Sequence, residues 1–467
     1  MILDSILRII KQGAHSGMTD LEFLESEIAR WKASPQRMMQ LKGSLYYENQ
    51  HDILMRKRTA IGEEGKLQVV ENLPNNRIID NVYAKLVNQK VNYLLGRPFV
   101  IDGRNKHYVE LLKKLFTKRF MRTLKNAGKA ALNGGIAWLY PHYDENGDFV
   151  FRMFPAYEVL PFWRDSEHTV LDLAVRLYCV EAYDGSAPVV MEKVEVYGPQ
   201  GIQRFILEGG RLIPDVDPDS GASYFFHVRT SEKGFNWSRI PLIPIRYNES
   251  ELPLIKRVKT LQDGVNAMLS DFENNMQEDA RNTILVLKNY DGADLGEFRR
   301  NLAVYGAVKV RDEGGAKAGV ETLEIAINAE NYQTIISIFK RAIIENGMGY
   351  DTKDFRLSDS YSHLNQMNIQ AMYSDVDLDA NDMETELQAA FQDLLWFVNA
   401  HLANTGQGNF DSESVTFIFN RDMMLNESQI VENIRNSVGI LSKQTLVAQH
   451  PWVNDIDEEL MRIEQEG

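Results

Sequence analysis

A run of oxygen-bearing side chains near residue 380 is the sequence pattern closest to a metal site. Alternate positions and the twelfth place are occupied by Asp375, Asp377, Asp379, Asn381 and Glu386. An EF-hand loop has ligands at positions 1, 3, 5, 7 and 12 and glycine at position 6. Position 6 is Ala380, and apolar residues at helical spacing run through the segment. We therefore favour a solvated acidic helix face over a cation site and predict no metal ligands.

Other motifs that carry chemistry are missing from the sequence. No two of the nine histidines lie within five residues of each other, so none forms a helical pair of zinc ligands. There is no G-x-x-x-x-G-K-[ST] phosphate loop, no G-x-G-x-x-G fingerprint and no G-x-S-x-G nucleophile elbow. No carboxylate cluster defines a cleft for general acid–base catalysis. We predict a protein that is not an enzyme, with no catalytic residue and no cofactor.

Two basic clusters could contact a polyanion. One is Arg56-Lys57-Arg58, and the other consists of Lys113, Lys114, Lys118, Arg119 and Arg122. Charge runs are more often solvated faces than nucleic-acid sites, and aromatic residues that could stack on bases are not interleaved with them. We favour solvated faces for both clusters.

Cys179 is the single cysteine, so an intrachain disulfide and a thiolate metal cluster are both excluded. Its neighbours Leu177, Tyr178 and Val180 favour a strand. A reactive thiol needs an activating partner, and none is evident nearby. We predict a buried structural cysteine.

Composition is typical of a globular protein, with 44% hydrophobic and 25% charged residues in a chain of 467. This length predicts two to four packing units. The net charge of −15 argues against a protein that grips phosphates over its whole surface, but it suits a wall past which DNA slides. No apolar run approaches a membrane span, and the first residues lack the pattern of a signal peptide. We expect a cytoplasmic protein without membrane segments.

Two hydrophobic periods alternate in the first half of the chain. Apolar residues three and four apart predict a helix that follows Asn75-Asn76 and stops at Gly96 and Pro98. From Ile136 to Val228 the period is two, which predicts a β-rich region. The two prolines of the segment 240–245 predict an edge strand or a linker.

Helical periodicity returns after residue 250. A heptad-like stripe predicts a helix from about 252 to 278, and a second stripe predicts a helix from about 329 to Gly347. The stripes contain Leu254, Val258, Leu261, Val265, Met268 and Phe272, and then Ile335, Ile336, Phe339 and Ile343. Short strands are predicted at 283–287, 307–310 and 321–325, with a short helix at 295–302. A polar loop and a long helix, from about Asn365 to Leu402, follow.

In this order the elements resemble those of tailed-bacteriophage portal proteins, of the type found in siphophages of Gram-positive hosts. Short stretches spread over nearly the whole chain carry the resemblance, and they are specific in combination. They are Tyr46-Tyr47, Asp52-Ile53 and Arg56-Lys57, Asn76-Arg77-Ile78-Ile79, Asn92-Tyr93-Leu94-Leu95-Gly96-Arg97-Pro98, Asn133-Gly134-Gly135, the stretch from Phe154 to Pro161, Ile243-Pro244-Ile245 and Phe419-Asn420-Arg421-Asp422.

The resemblance implies an α+β, mainly α, fold with wing, stem, clip and crown. The implied parts are the wing (1–250), the first stem helix (251–278), the clip (279–328), the second stem helix (329–346), the tunnel loop (347–363), the long helix with a wing strand (364–424) and the crown (425–467). The two apolar stripes would pack in the stem. The tunnel loop would present Lys353, Asp354, Arg356, Ser358 and Asp359 to DNA.

The resemblance also implies the function and the partners. Family members form a homo-oligomeric ring, a dodecamer in the capsid, at one vertex of the virion. Double-stranded DNA passes through the ring during packaging and ejection. The terminase large subunit, a head–tail adaptor, and the major capsid and scaffold proteins would be partners, with assembly in the host cytoplasm and no membrane.

Two other hypotheses remain open from the residues alone. The first is another structural head component, such as a minor head or scaffold protein, against which two stem-like helices around a small domain argue. The second is a DNA-processing packaging enzyme, which would need a phosphate loop or a carboxylate cluster for metal. Imaging of purified particles with a central hole, or ATP turnover, would distinguish them from a portal.

Overall fold

The structure is a computed structural model of the chain. It describes residues 19–61, 66–70, 73–184, 187–217, 221–229, 234–279, 284–288, 319–323, 329–351, 366–421, 427–448, 450, 452–453 and 456–466. The chain divides into two compact units. The larger contains Met1–Glu48, Asn81–Lys259 and Ile343–Gly467, and the smaller contains Asn49–Asp80 and Thr260–Ala342.

Several of the described helices begin after a residue whose side chain caps the first turn. Thr19 and Ser34 each accept a hydrogen bond from a backbone N–H three residues later. The helices are α1 (Asp20–Lys32), α2 (Pro35–Tyr47), α3 (Val82–Leu95), α4 (Lys106–Leu115), α5 (Lys118–Gly134), α6 (Ile255–Asp279), α7 (Ala329–Asn346), α8 (Gln366–Asn404), α9 (Glu427–Asn436), α10 (Lys443–Ala448) and α11 (Ile456–Glu466). The three helices that the sequence predicts after residue 250 are confirmed as α6, α7 and α8.

The described strands confirm the predicted β-rich region between α5 and α6. They are β1 (Thr59–Ile61), β2 (Leu67–Val69), β3 (Val100–Gly103), β4 (Ile136–Tyr143), β5 (Phe149–Pro155), β6 (Val159–Trp163), β7 (Leu171–Asp184), β8 (Ala187–Gly198), β9 (Gly201–Glu208), β10 (Arg211–Pro214), β11 (Tyr224–Phe225), β12 (Val228–Arg229), β13 (Gly234–Phe235), β14 (Ile243–Arg246), β15 (Ile284–Lys288), β16 (Gly319–Leu323) and β17 (Val415–Ile418). The fold is therefore a mixture of helices and strands.

An antiparallel sheet in the order β10-β9-β8-β7-β6 forms one layer of the larger unit, and β11 also pairs with β9. Alternate residues of its central strands, such as Val175 and Val194, point to one face and are fully buried. Leu24 and Ile28 of α1 cover that face. The period-two pattern of the sequence thus becomes a sheet with one face against a helix.

A second sheet, in the order β14-β4-β5, packs against α5. Pro244 lies in the edge strand β14, where its missing N–H costs no ladder hydrogen bond, so the predicted edge strand is confirmed. Between α5 and β4 the chain turns at Gly135, whose φ is +82°. A Cβ at this position would also clash with the backbone carbonyl of Glu251, so the turn requires glycine.

Aromatic residues join the long helix α8 to the strand pair β3–β17. The Phe99 ring lies 5.3 Å from that of Phe391 on α8 and 5.4 Å from that of Phe417 on β17, both edge to face. Phe391 and Phe417 are buried, with ring centroids 4.5 Å apart. This cluster packs α8 against the β3–β17 pair within the larger unit.

Cys179 lies in a strand, as predicted, but the prediction that it is buried is wrong, because the residue is exposed. The partner strand β6 reaches β7 only up to Arg176, and β9 reaches β8 only from Glu192. Cys179 lies on the part of β7 that β6 no longer reaches, and it pairs with Glu192, the last residue of β8 that still pairs with β9. Beyond this pair β7 and β8 continue as a two-stranded hairpin. The exposed thiol therefore lies where β7 is an edge of the sheet rather than in the core.

In the smaller unit, a row of polar side chains on α6 binds an extended segment of backbone. Gln262, Asn266, Ser270 and Asn274 are each fully buried. The backbone N–H of Asn76 donates to Asn274 Oδ1 at 2.7 Å, that of Ile78 to Ser270 Oγ at 2.9 Å and that of Asp80 to Asn266 Oδ1 at 3.1 Å. Four helical residues rise about 6 Å, close to the span of two extended residues, so the two rows stay in register.

The same contacts correct a predicted boundary. The sequence pattern predicts that the helix follows Asn75-Asn76 directly, but α3 begins at Val82 and is capped by the side chain of Asn81. Residues 76–80 instead donate to the side chains of α6. The remainder of the described smaller unit includes the antiparallel pair β15–β16, close to the strands predicted at 283–287 and 321–325. The helix predicted at 295–302 and the strand predicted at 307–310 lie outside the described residues.

A buried histidine makes the stability of the larger unit sensitive to acid. His227 is 5% exposed, and burial lowers its pKa to about 4. Its stabilising contribution is complete above the unfolded pKa near 6.5 and is lost as pH falls towards 4, by about 3 kcal/mol. Urea unfolding of H227F is expected to show a smaller loss between these pH values than the wild type. The exposed His107 provides the control variant H107F, and equal losses in wild type and H227F would contradict the assignment.

No helix in the described part of the chain combines the length and apolarity that crossing a membrane requires.

Candidate functional site

The start of the polar segment 347–363 is built into the larger unit by α3 and α8. The residues Gly347 to Asp351 are described, whereas the predicted loop residues Lys353, Asp354, Arg356, Ser358 and Asp359 lie outside the described residues. Gly347 and Gly349 lie so close to Leu86 of α3 that a Cβ on either would clash with its side chain. The chain therefore leaves α7 along a defined path.

The side chain of Lys90 on α3 binds the backbone at the start of this segment. Its Nζ donates to the backbone carbonyl of Met348 at 2.9 Å and to Asp379 Oδ2 at 2.7 Å. Lys90 is 4% exposed, and burial lowers the pKa of its ammonium group, an effect that the charge of Asp379 opposes. Met348 has a φ of +50°, a conformation that non-glycine residues rarely adopt. The ammonium group stabilises this strained turn at the start of the segment.

Asp379 is the centre of a buried network. Its Oδ1 accepts hydrogen bonds from the hydroxyl of Tyr247 at 2.7 Å and from Arg257 Nη1 at 3.4 Å. Burial, and next the charge of Asp379, raise the pKa of Tyr247, which stays protonated and donates. A buried charge is tolerated when it is paired and hydrogen-bonded. Asp379 therefore joins α8 to α3, to α6 and to the residue that follows β14.

Aromatic rings hold the next residue of the segment. Gln89 and Tyr350 exchange two hydrogen bonds, with Gln89 Nε2 donating to the Tyr350 carbonyl at 2.8 Å and the Tyr350 N–H donating to Gln89 Oε1 at 3.2 Å. The Tyr350 ring lies 4.5 Å from Tyr373, which stacks on Tyr93 at 5.7 Å. We call the contacts of Lys90, Gln89 and Tyr350 with the segment the loop anchor.

Acidic side chains on α8 form hydrogen bonds and ion pairs with other residues of the chain. Asp377 accepts from the Tyr93 hydroxyl at 2.8 Å and lies 3.4 Å from Arg421, which also pairs with Glu384 at 2.6 Å. Glu386 lies 3.7 Å from Arg246. The segment is one uninterrupted helix, as predicted, and within the described residues no three acidic or histidine side chains are placed to hold a metal ion. The prediction of a solvated face holds for the exposed Asp375 but is wrong for Asp379, which is buried.

The predicted stem stripes are buried to very different degrees within the single chain. Leu254, Val258, Val265 and Ile343 are fully buried, whereas Leu261, Met268, Phe272, Ile336 and Phe339 are half-buried. Ile335 is 38% exposed, and Ile338, outside the predicted stripe, is 58% exposed. Only the partly and fully exposed members are therefore available to another molecule.

The residues that form the loop anchor were missed by motif analysis. A single signal pointed to them, since Lys90 lies between Leu86, Val87, Val91 and Leu94 on the apolar face of a predicted helix. A lysine at such a position needs a buried anion as partner. Which of the 66 acidic residues supplies it is decided by the fold.

Comparison with known proteins identifies relatives of the whole chain. The family model described as "Phage portal protein, SPP1 Gp6-like" matches residues 25–467. The portal protein of Bacillus phage SPP1 is 30% identical over 430 residues, which cover 91% of this chain and 83% of the relative. The portal protein of Clostridium phage phiCD119 is 26% identical over 454 residues, 94% of each. A solved neck of an empty GTA particle covers 78% of this chain and 88% of its own, with 13% identity and a TM-score of 0.39.

Proposed function

The chain belongs to the SPP1 Gp6-like family of phage portal proteins, and we propose that its segment 347–363 is the loop that touches DNA in the channel of the portal ring. The family resemblance that the sequence suggested is confirmed, and with it the function of a portal protein, a structural component of the phage virion. The contacts of individual residues with DNA belong to the proposal.

The loop anchor is the observation that carries the proposal. A loop that contacts moving DNA must be anchored to the subunit where it begins, and the residues that contact the DNA must be polar. Lys90 and Gln89 fix the base through backbone atoms of Met348 and Tyr350. The sequence that follows this base contains Lys353 and Arg356 among acidic residues, a composition that suits brief contact with phosphates.

We further propose the family's division into wing, stem, clip and crown. The helices α6 and α7 would form the stem, with the clip between them at 279–328 and the wing before them at 1–250. The long helix and wing strand at 364–424 and the crown at 425–467 complete the proposal. The antiparallel pair β15–β16 between the two helices supports a small clip domain.

A ring needs a heterologous contact, in which one face of a subunit meets a different face of the next. On α7, Ile335 and Ile338 expose apolar side chains that could supply part of such a face. We propose that they pack against the stem of the neighbouring subunit in a ring that is a dodecamer in the capsid.

The proposed partners follow from the family. They are the terminase large subunit and the head–tail adaptor at the clip, the major capsid and scaffold proteins at the vertex, and double-stranded DNA in the channel. We propose assembly in the host cytoplasm. Because the chain has no nucleotide-binding motif, the energy for DNA movement would come from the terminase.

Removing the two cations of the loop tests the proposal. The variant K353Q/R356Q is expected to form rings like the wild type and to reduce the DNA packaged into procapsids by an order of magnitude. Nuclease-protected DNA per particle measures packaging, and negative-stain imaging measures rings. The matched control R104Q/K106Q removes two exposed cations before and at the start of α4. Normal packaging by K353Q/R356Q would contradict DNA contact, and loss of rings would make the loop structural.

A further inference from the structure

A second region of the chain, separate from the segment 347–363, has the composition of an anion-binding surface. Between residues 111 and 143 the sequence has seven lysines and arginines and no aspartate or glutamate, in a chain whose net charge is −15. All seven lie on α4 or α5. The strand β5 adds Arg152 beside α5, because β5 packs on that helix.

The cations at the centre of this region are exposed and lack acidic partners. Among the described residues, none of the carboxylates forms an ion pair with Arg119, Arg122 or Arg152, and all three side chains are exposed. At the margin, Lys113 lies 3.4 Å from Glu110, and Lys129 donates to the hydroxyl of Tyr47. Burial lowers the pKa of His142, and the charges of Arg152 and Arg119 lower it further, whereas a hydrogen bond with the Tyr140 carbonyl and the charge of Asp144 oppose this shift. Within the described part of the chain, the charges of Arg119, Arg122 and Arg152 are therefore not balanced by ion pairs.

The cations at the start of α5 destabilise this helix. Lys118 and Arg119 occupy the first turn, where the helix dipole is positive, and no acidic residue stands there. A cation at a helix N-terminus is destabilising by a few tenths of a kcal/mol, whereas an anion is stabilising. An anionic ligand would offset both the mutual repulsion of the side chains and their conflict with the dipole.

The surface between α5 and β5 is shaped as well as charged. A cleft of about 340 Å³ is lined by Arg119, Arg122, Arg152, Asn126 and His142, among others, and no carboxylate lines it. A second cleft of about 440 Å³ shares Arg119 and adds Lys114, and Asp148 also lines it. We call these two clefts, the cations that line them, and Lys118 and Lys125 of the same helix α5 the α5 basic patch.

We propose that the α5 basic patch binds the phosphate backbone of duplex DNA, independently of the loop that we assign to the channel. From Lys118 to Lys125 the helix spans roughly 10 Å, over which one strand of B-DNA places about three phosphates. Arginine matches phosphate with two parallel hydrogen bonds. A row of unpaired cations therefore fits a polymer of regularly spaced charges.

The surroundings favour DNA over an acidic protein surface. Between residues 101 and 169, all of which are described, no large apolar side chain is exposed. Protein interfaces bury an apolar centre and are depleted in lysine, whereas contacts with DNA are polar, wet and strongly positive. The patch has the second character, since lysines at positions 114 and 118 are exposed beside the arginines.

Binding of the full-length protein to a fluorescent 30-base-pair duplex at several salt concentrations tests the proposal, the length being about three turns of B-DNA. The variant R119Q/R122Q/R152Q is expected to bind about tenfold more weakly or worse at low salt. The slope of log affinity against log salt is expected to fall by about 2.7, or 0.9 for each lost phosphate contact. The charge-retaining variant R119K/R122K/R152K is expected to keep the slope.

Two controls separate this site from general electrostatics and from the loop. R104Q/K106Q/R435Q removes the same charge from exposed positions elsewhere and is expected to bind like the wild type. In the K353Q/R356Q background, the three patch substitutions are expected to lower the slope by the same amount as in the wild type, because the patch binds independently of the loop. An unchanged slope in the patch variant, or an equal loss in the surface control, would overturn the proposal. Displacement of the duplex by a polyglutamate peptide of equal charge at equal concentration would also overturn it, in favour of an acidic protein partner.

Discussion

Replacement of Lys90 by methionine is expected to lower the free energy of unfolding by about 3–5 kcal/mol, because it leaves a buried carboxylate without its closest cation. Methionine has a similar length, so little packing is lost. Asp379 keeps Tyr247 and the more distant Arg257, while the carbonyl of Met348 loses its donor. Urea unfolding followed by tryptophan fluorescence measures the loss, and K85M, at an exposed position of the same helix, is the control.

A double-mutant cycle identifies the origin of that loss. D379L alone leaves Lys90 buried without an anion and is expected to cost a similar amount. The double variant K90M/D379L is expected to cost clearly less than the sum of the two, since the second change removes the charge that the first one left unpaired. Additive losses would show that the two groups contribute independently, and the loop anchor would then not depend on their pairing.

Replacement of Asn266 by leucine is expected to destabilise the smaller unit by a similar amount, about 3–5 kcal/mol, since several buried polar groups lose a partner. Asn266 Oδ1 accepts from the backbone N–H of Asp80 at 3.1 Å and from Gln262 Nε2 at 3.1 Å, and its Nδ2 lies 2.8 Å from His51 Nδ1. Leucine has about the same size but offers no hydrogen bond. Amide hydrogen exchange is expected to show faster exchange at residues 76–80.

The control for Asn266 lies on the same helix. Gln277 is exposed, so Q277L is expected to change the stability by less than about 0.5 kcal/mol. If N266L were as stable as Q277L, or if exchange at 76–80 stayed slow, the extended segment would be held by something other than the row of polar side chains on α6.

The order and kind of most elements could be predicted from local patterns. The apolar stripes placed α6, α7 and α8 within a few residues of their observed bounds, because helical spacing is a property of neighbouring residues. Pro244 indicated an edge strand through its missing N–H, and β14 is one. The family was recognisable from short stretches in a consistent order, and the relatives confirm it.

Burial and partners were harder to predict than helices and strands. The lone Cys179 was expected in the core because its neighbours are apolar. However, β7 extends past the end of its partner β6, and the thiol is exposed. Asp379 was expected in solvent because its neighbours are acidic, but it is 5% exposed. In both cases the neighbouring residues in the sequence do not show whether the side chain is buried. Its burial depends on how far the elements that pack around it extend.

The sequence by itself thus determined the family, the succession of helices and strands and the polar character of the segment 347–363. The tertiary structure alone decided how that segment begins, since Lys90 meets Asp379 from 289 residues away. It also decided where α3 begins, because the N–H groups before Val82 donate to side chains of α6 rather than into a helix. The physical reason is that periodicity reports which face of an element is apolar, whereas buried hydrogen-bonding groups take the partner that the packed fold brings within reach.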